Sequence, residues 1–198
     1  MEFTKLAFID LETTGLEPIL SMNGFLVAPW HEIIEIGCVI ADMKNPSKAI
    51  DELSFKVLPE HPERITSGAQ EINGYNEKDW KNALPLEEAM RRLIDFVSGS
   101  VLFAGNISFD WVFLQIALAK SGYTKEKIDE TLYYSKREST SFAAGRLFVP
   151  QTPVTLEMFS GRTIEKQLGL ESEPKPHRAI NGARQIHSIF SRAWARKT

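Results

Sequence analysis

Asp10 and Glu12 stand two residues apart at the end of the apolar run Leu6-Ala7-Phe8-Ile9, directly before Thr13-Thr14-Gly15. On a strand, residues i and i+2 share one face about 6–7 Å apart, so the two carboxylates can serve one site. Carboxylate oxygens are the ligands that magnesium and manganese prefer. Taken alone, the pair also fits a strand end with two solvated acids. Asp110 closes Gly105-Asn106-Ile107-Ser108-Phe109-Asp110, where a short apolar run gives way to a helical pattern. Such junctions carry site residues in open α/β sheets, although an acid there also suits the positive end of a helix. His177 lies in Pro176-His177-Arg178-Ala179-Ile180-Asn181-Gly182-Ala183-Arg184, ahead of a last helical pattern. A histidine ring titrates near neutral pH, as a general base must. A single loop histidine also fits an ordinary surface residue.

The elements that would hold these side chains follow from hydrophobic periodicity. Strands are predicted over 5–12, 32–42, 53–58 and 101–105, and Lys44-Asn45-Pro46-Ser47 reads as a turn. The first three strands would form an antiparallel meander. Helices are predicted over 85–98, 110–120, 125–135, 162–168 and 178–195, with Pro85 suited to a first turn and Gly122 to a helix end. Residues 17–31, with Pro18, Gly24 and Pro29, and 139–155, rich in Ser, Thr, Gly and Pro, read as loops. The order is that of an α/β single domain covering 1–198.

The 198 residues are 43% apolar and 25% charged, enough to bury one core. The single cysteine, Cys38, lies in an apolar run and reads as a core thiol in a reducing compartment. With no long apolar stretch and no leader pattern at Met1-Glu2-Phe3-Thr4-Lys5, the expected location is cytoplasmic, with no membrane partner. A net charge of −3 gives the whole molecule no basic footprint. From Pro174 onward, however, Lys175, Arg178, Arg184, Arg192, Arg196 and Lys197 face no acid, which predicts a local positive face.

Together these stretches resemble the DEDDh, or DnaQ-like, 3′→5′ exonucleases of the ribonuclease H-like superfamily, over nearly the whole chain. Phe8 to Leu16 looks like the family's first motif, Asn106 to Asp110 its second and His177 to Ala183 its third. His31-Glu32-Ile33-Ile34-Glu35-Ile36-Gly37 resembles its second strand, and Ala69-Gln70-Glu71-Ile72-Asn73-Gly74-Tyr75 a substrate-side loop. The resemblance implies a mixed central sheet, antiparallel then parallel, flanked by helices. It also implies two magnesium or manganese ions on Asp10, Glu12 and Asp110, with His177 as the base. The reaction would release nucleoside 5′-monophosphates from the 3′ end of single-stranded DNA or RNA. Thr13 and Thr14 would approach the terminal nucleotide through their backbone. Ile72 and Phe109 would offer apolar surface, Asn73 and Asn106 polar contacts, and Arg178 and Arg184 attraction for phosphate. Members of the family act alone, as homodimers or docked on a polymerase.

One departure stands out. The family carries an aspartate five residues after the histidine, and that position here is Gly182. Asn181 after a one-residue shift, an extra water, or Asp129 could fill the gap, whereas His187 points to another helix face. The resemblance predicts that Gly182→Asp raises metal affinity and rate. Two readings follow: an active nuclease with one weakly held ion, or a silent module that binds nucleic-acid ends or a partner protein.

Overall fold

Alternation along the first strand, β1 (Lys5–Thr13), decides which side of the sheet carries the acids. Ala7, Ile9 and Leu11 point into one core, and Leu6 and Phe8 into another. Asp10 and Glu12 continue the Leu6 and Phe8 face. The computed structural model describes residues 2–17, 19–22, 25–132, 136–148 and 155–196, with only the backbone for 19–22 and 25–29.

Among the described residues β1 pairs antiparallel with β4 (Ile33–Asp42), and β4 antiparallel with β5 (Asn45–Lys56). On its other side β1 pairs parallel with β6 (Ser100–Ala104), which pairs parallel with β7 (Arg137–Glu138). The sheet order is β5-β4-β1-β6-β7, the predicted mixed architecture. Met43 and Lys44 make the turn into β5, where Asp42 accepts the Lys44 N–H at 2.7 Å. The third strand therefore starts far earlier than residue 53. A separate hairpin, β2 (Ile19–Met22) with β3 (Phe25–Pro29), occupies the segment expected to be loop. Pro18 and Gly24 of that expectation lie outside the described residues.

The first face is covered by α3 (Leu86–Val97) and α4 (Ile107–Lys120), through Met90, Leu93, Phe113 and Leu114. The second is covered by α8 (Ala179–Ala195), whose Ile186 and Phe190 pack on Phe8 and Phe103. Beyond α8 lie α6 (Ser139–Phe148) and α7 (Gly161–Leu168), which share a small core through Ala143, Phe148, Ile164 and Ile189. The loop expected over 139–155 is thus a helix to 148, because Ala143, Ala144 and Phe148 repay burial. Residues 149–154 lie outside the described set.

Among the described residues there are also three short α-helices, α1 (Ser67–Asn73), α2 (Glu77–Trp80) and α5 (Lys125–Thr131), and two 3-10 turns, Pro62–Arg64 and Leu156–Phe159. Residues 133–135 of the helix predicted over 125–135 lie outside the described residues. The expected substrate-side loop is α1, begun by Thr66, whose hydroxyl accepts the Ala69 N–H, and ended by Gly74 at φ 65°. No described helix is long and apolar enough to cross a membrane.

Helix α8 rests on the sheet backbone to backbone. A Cβ on Gly37 of β4 would overlap the Ala179 carbonyl, so glycine is what allows the helix start to reach the sheet. Arg192 donates to the Leu168 and Gly169 carbonyls, and Arg196 to that of Gln167. These two cations cap the end of α7 instead of forming a merely solvated face. Lys197 lies outside the described residues.

Candidate active site

Asp10 and Glu12 leave β1 towards the start of α8, while Asp110 is set in the first turn of α4. Asp110 is 4% exposed and takes a hydrogen bond from its own amide, whereas Glu35 Oε2, 3.8 Å from Arg178, is buried without a hydrogen-bond partner among the described residues. Burial pushes Asp110 up to about 7. Burial, reinforced by Glu173 and Glu35 and opposed by Arg178, pushes Glu12 up to about 8. Burial and then the charge of Asp110, Glu12, Glu173 and Glu35 hold Asp10 well above the usual carboxylate range. Acids this crowded stay protonated unless positive charge joins them.

His177 enters from the opposite wall. Its N–H donates to the Ile72 carbonyl at 2.8 Å, which ties the histidine to the end of α1. Its Nδ1 lies 3.7 Å from Glu173 Oε2. Candidate ligand atoms of Glu12, Glu173 and His177 all fall within 4.8 Å of one another. A cleft of about 360 Å³ opens between them, lined by Asp10, Glu12, Ile72, Phe109, Glu173 and His177. A wider groove continues from Asp10 and His177 past Asn106, Gln185 and Arg162.

This geometry coincides with a clear family match. The RNase T family model, described as exonuclease, matches residues 7–190. The chain belongs to this exonuclease family. Among curated relatives, a PolC-type DNA polymerase III of Caldanaerobacter subterraneus is 35% identical over 128 residues, 64% of this chain and 8% of the relative. The corresponding protein of Thermotoga petrophila is 26% identical over 93% of this chain and 11% of its own length. The exonuclease-family chain therefore spans about a tenth of the curated relatives it matches. Exonuclease I from Methylocaldum szegediense shares its fold at TM-score 0.75 and 15% identity, over 98% of this chain and 41% of that one. A full-length 3′-exonuclease does so at TM-score 0.65 and 17% identity, covering 97% and 82%.

Asp10, Glu12 and His177 line one cleft, with Ile72 and Phe109 on its wall and Asn106 on the wider groove; Asp110 lines neither, but its charge bears on Asp10. Leu16, 75% exposed on the same cleft, is an apolar surface that the sequence reading passed over. Other expectations are corrected. Thr14 is fully buried, its N–H donating to Glu32 and its carbonyl accepting from Thr66, so its backbone is already engaged. Its hydroxyl meets His31 Nδ1 at 3.1 Å. Thr13 does line the cleft, but its carbonyl accepts from Asn73 Nδ2 at 3.1 Å. Asn73 lines the cleft but is 1% exposed, and its side chain is engaged with the Thr13 carbonyl and the Tyr75 N–H, so it braces the wall. Arg178 donates to the Asn73 and His177 carbonyls and lies 3.8 Å from Glu35, a brace between α1 and β4. Arg184 is held in a two-pronged pair by Glu52 and Lys175 pairs with Glu71, so two of the six cations of the expected positive face are neutralised by acids from other elements.

The gap in the third motif has a steric cause. A Cβ at Gly182 would sit 2.5 Å from Asp10 Cγ and closer still to Oδ2. It is Gly182, not Asn181, that faces Asp10, so no one-residue shift supplies a neutral oxygen. Asp129 is paired with Lys125 on α5, and His187 meets the Pro46 carbonyl at 3.0 Å away from the acids. Any side chain at 182 must push Asp10 aside. Gly182→Ala is therefore expected to slow cleavage about 10²-fold, the typical cost of displacing a reacting group by an ångström. Gly182→Asp meets the same overlap, which reverses the gain predicted from the family pattern. Single-turnover rates of both variants check this.

The residue that sequence reasoning missed is Glu173. It sits in a segment without periodicity, Glu171-Ser172-Glu173-Pro174, and its only signal was an acid four places before the histidine.

Proposed function

We propose that this chain is a metal-dependent 3′→5′ exonuclease that releases nucleoside 5′-monophosphates from single-stranded nucleic-acid ends. The observation that supports the proposal is that Asp10 and Glu12 line an apolar-walled cleft with Glu173 and His177, the last two within 4.8 Å of Glu12, while the charge of Asp110 bears on Asp10. The donor set fits hard divalent ions: buried carboxylate oxygens, with Glu35 Oε2 beside them left without a hydrogen bond among the described residues. Asp10, Glu12 and Asp110 would hold magnesium or manganese, which would supply charge neutralisation at the phosphate and a more acidic attacking water.

The chain's own groups do the rest. With Nδ1 of His177 turned to Glu173, Nε2 is the ring atom left to take the water's proton. Ile72, Phe109 and Leu16 give a terminal base or sugar an apolar surface that reads no sequence. The tie from the His177 N–H to Ile72 couples the base to the surface on which the last nucleotide would rest. The polymerase relatives support association with a polymerase as the arrangement in which such an activity would work.

Incubating an internally labelled single strand with magnesium, then manganese, tests the proposal. Stepwise mononucleotide release from the 3′ end is the expected result, and no release with either ion at high protein concentration would leave the silent end-binding module. His177→Ala is expected to lower the rate about 10²–10⁴-fold, the usual share of a positioned base. Calorimetry should show its manganese binding largely retained.

A further inference from the structure

We infer that Glu173 supplies the cation-holding carboxylate that position 182 has no room to carry; this rests on the metal-dependent reading above. Helix α8 lies so close to β1 that a side chain at 182 would overlap the Asp10 carboxylate. A fourth acid must then come from another element. Glu173, in the segment that leads into His177, arrives from the other flank.

Its geometry suits the task. Oε1 accepts the Arg178 N–H at 2.8 Å, which fixes the carboxylate against the start of α8. Oε2 stays on the side of His177, 3.7 Å from Nδ1. The ligand atoms of Glu12 and Glu173 lie within 4.8 Å, close to the span of two metal–oxygen bonds of about 2.1 Å each. Glu173 also lines both the cleft and the wider groove, as do Asp10 and His177. The side chain is 14% exposed, so its charge is largely withdrawn from water. A separate observation points to a cation. Glu35 is 3% exposed, its charge bears on Asp10, Glu12 and Glu173, and its Oε2 is a buried oxygen with no hydrogen-bond partner among the described residues. The charges of Asp110, Glu12, Glu173 and Glu35 all bear on Asp10, while Arg178 offsets Glu12 and Glu35, Lys56 also bears on Glu35, and Arg162 and Lys175 line the wider groove. Buried acids in that imbalance call for added positive charge.

Capping α8 needs only an acceptor, which a glutamine also provides, whereas holding a cation needs the anionic oxygen. Glu173→Gln separates the two. Manganese binding is measured by electron paramagnetic resonance titration on wild type, Glu173→Gln and Asp10→Asn, together with unfolding temperature in EDTA. The expected result is that Glu173→Gln unfolds at or above the wild-type temperature without metal, yet loses one manganese or binds it at least about tenfold more weakly. Wild-type-like titration of Glu173→Gln, alongside lost binding in Asp10→Asn, overturns the role of Glu173 and leaves the metal site standing. So does a lower unfolding temperature with titration unchanged, which marks a structural cap. If wild type itself binds no manganese, the metal-dependent reading falls and Glu173 with it.

Discussion

Asp10→Asn is expected to stop mononucleotide release, a fall of at least about 10³-fold. Several kcal/mol of charge stabilisation at the phosphate leaves with the ions, and each 1.36 kcal/mol is about tenfold in rate. The same variant should unfold at a higher temperature than wild type in EDTA. Asp10 is the acid on which burial and the charges of Asp110, Glu12, Glu173 and Glu35 all bear, and an amide of equal size is neutral without having to keep a proton that the unfolded chain releases. Product chromatography and calorimetry read the two effects. Retained cleavage would place the ions elsewhere; a lower unfolding temperature would make the carboxylate a structural acceptor.

The second large effect is a loss of stability towards alkaline pH in the metal-free protein. Burial holds Glu12 up at about 8 and Asp110 at about 7, against ordinary values of 4.5 and 3.8. The folded chain therefore keeps protons that the unfolded chain releases, so stability is highest at low pH and declines as pH rises through the folded values. His31 and His187, both lowered by burial, act in the opposite sense below their ordinary range, so the clean window starts at about pH 6.5. From there to about pH 8.5 the loss should be about 2–3 kcal/mol, or about 5–10 °C in Tm. Saturating magnesium should flatten the slope, and so should Glu12→Gln. A Tm independent of pH in EDTA would mean that these acids ionise freely.

Much of this was written in the chain where periodicity is strong. The alternation of Leu6, Phe8, Asp10 and Glu12 against Ala7, Ile9 and Leu11 placed the first two acids on one face, as found. The run that ends at Ala104 and the helix carrying Asp110 gave the next acid, and the resemblance gave the family, matched over residues 7–190. What escaped depends on pairings between distant residues. Asn73 and Arg178 read as substrate contacts because polar side chains in motif segments invite that reading; only the fold shows them bonded to Thr13 and to each other's segment. Helix α6 was hidden by its Ser and Thr content, since burial of Ala143 and Phe148 overrides that local preference. Glu173 was hidden because no periodic pattern brings its segment to the site.

The close seating of α8 through Gly37 and Gly182 has an evolutionary corollary. An acid cannot be restored at 182 by one codon change without evicting Asp10, so the helix would first have to lift from the strands. Among homologous sequences, an acid at the position of Gly182 and one at the position of Glu173 should therefore tend to exclude each other, with a bulkier residue replacing Gly37 wherever the former is present.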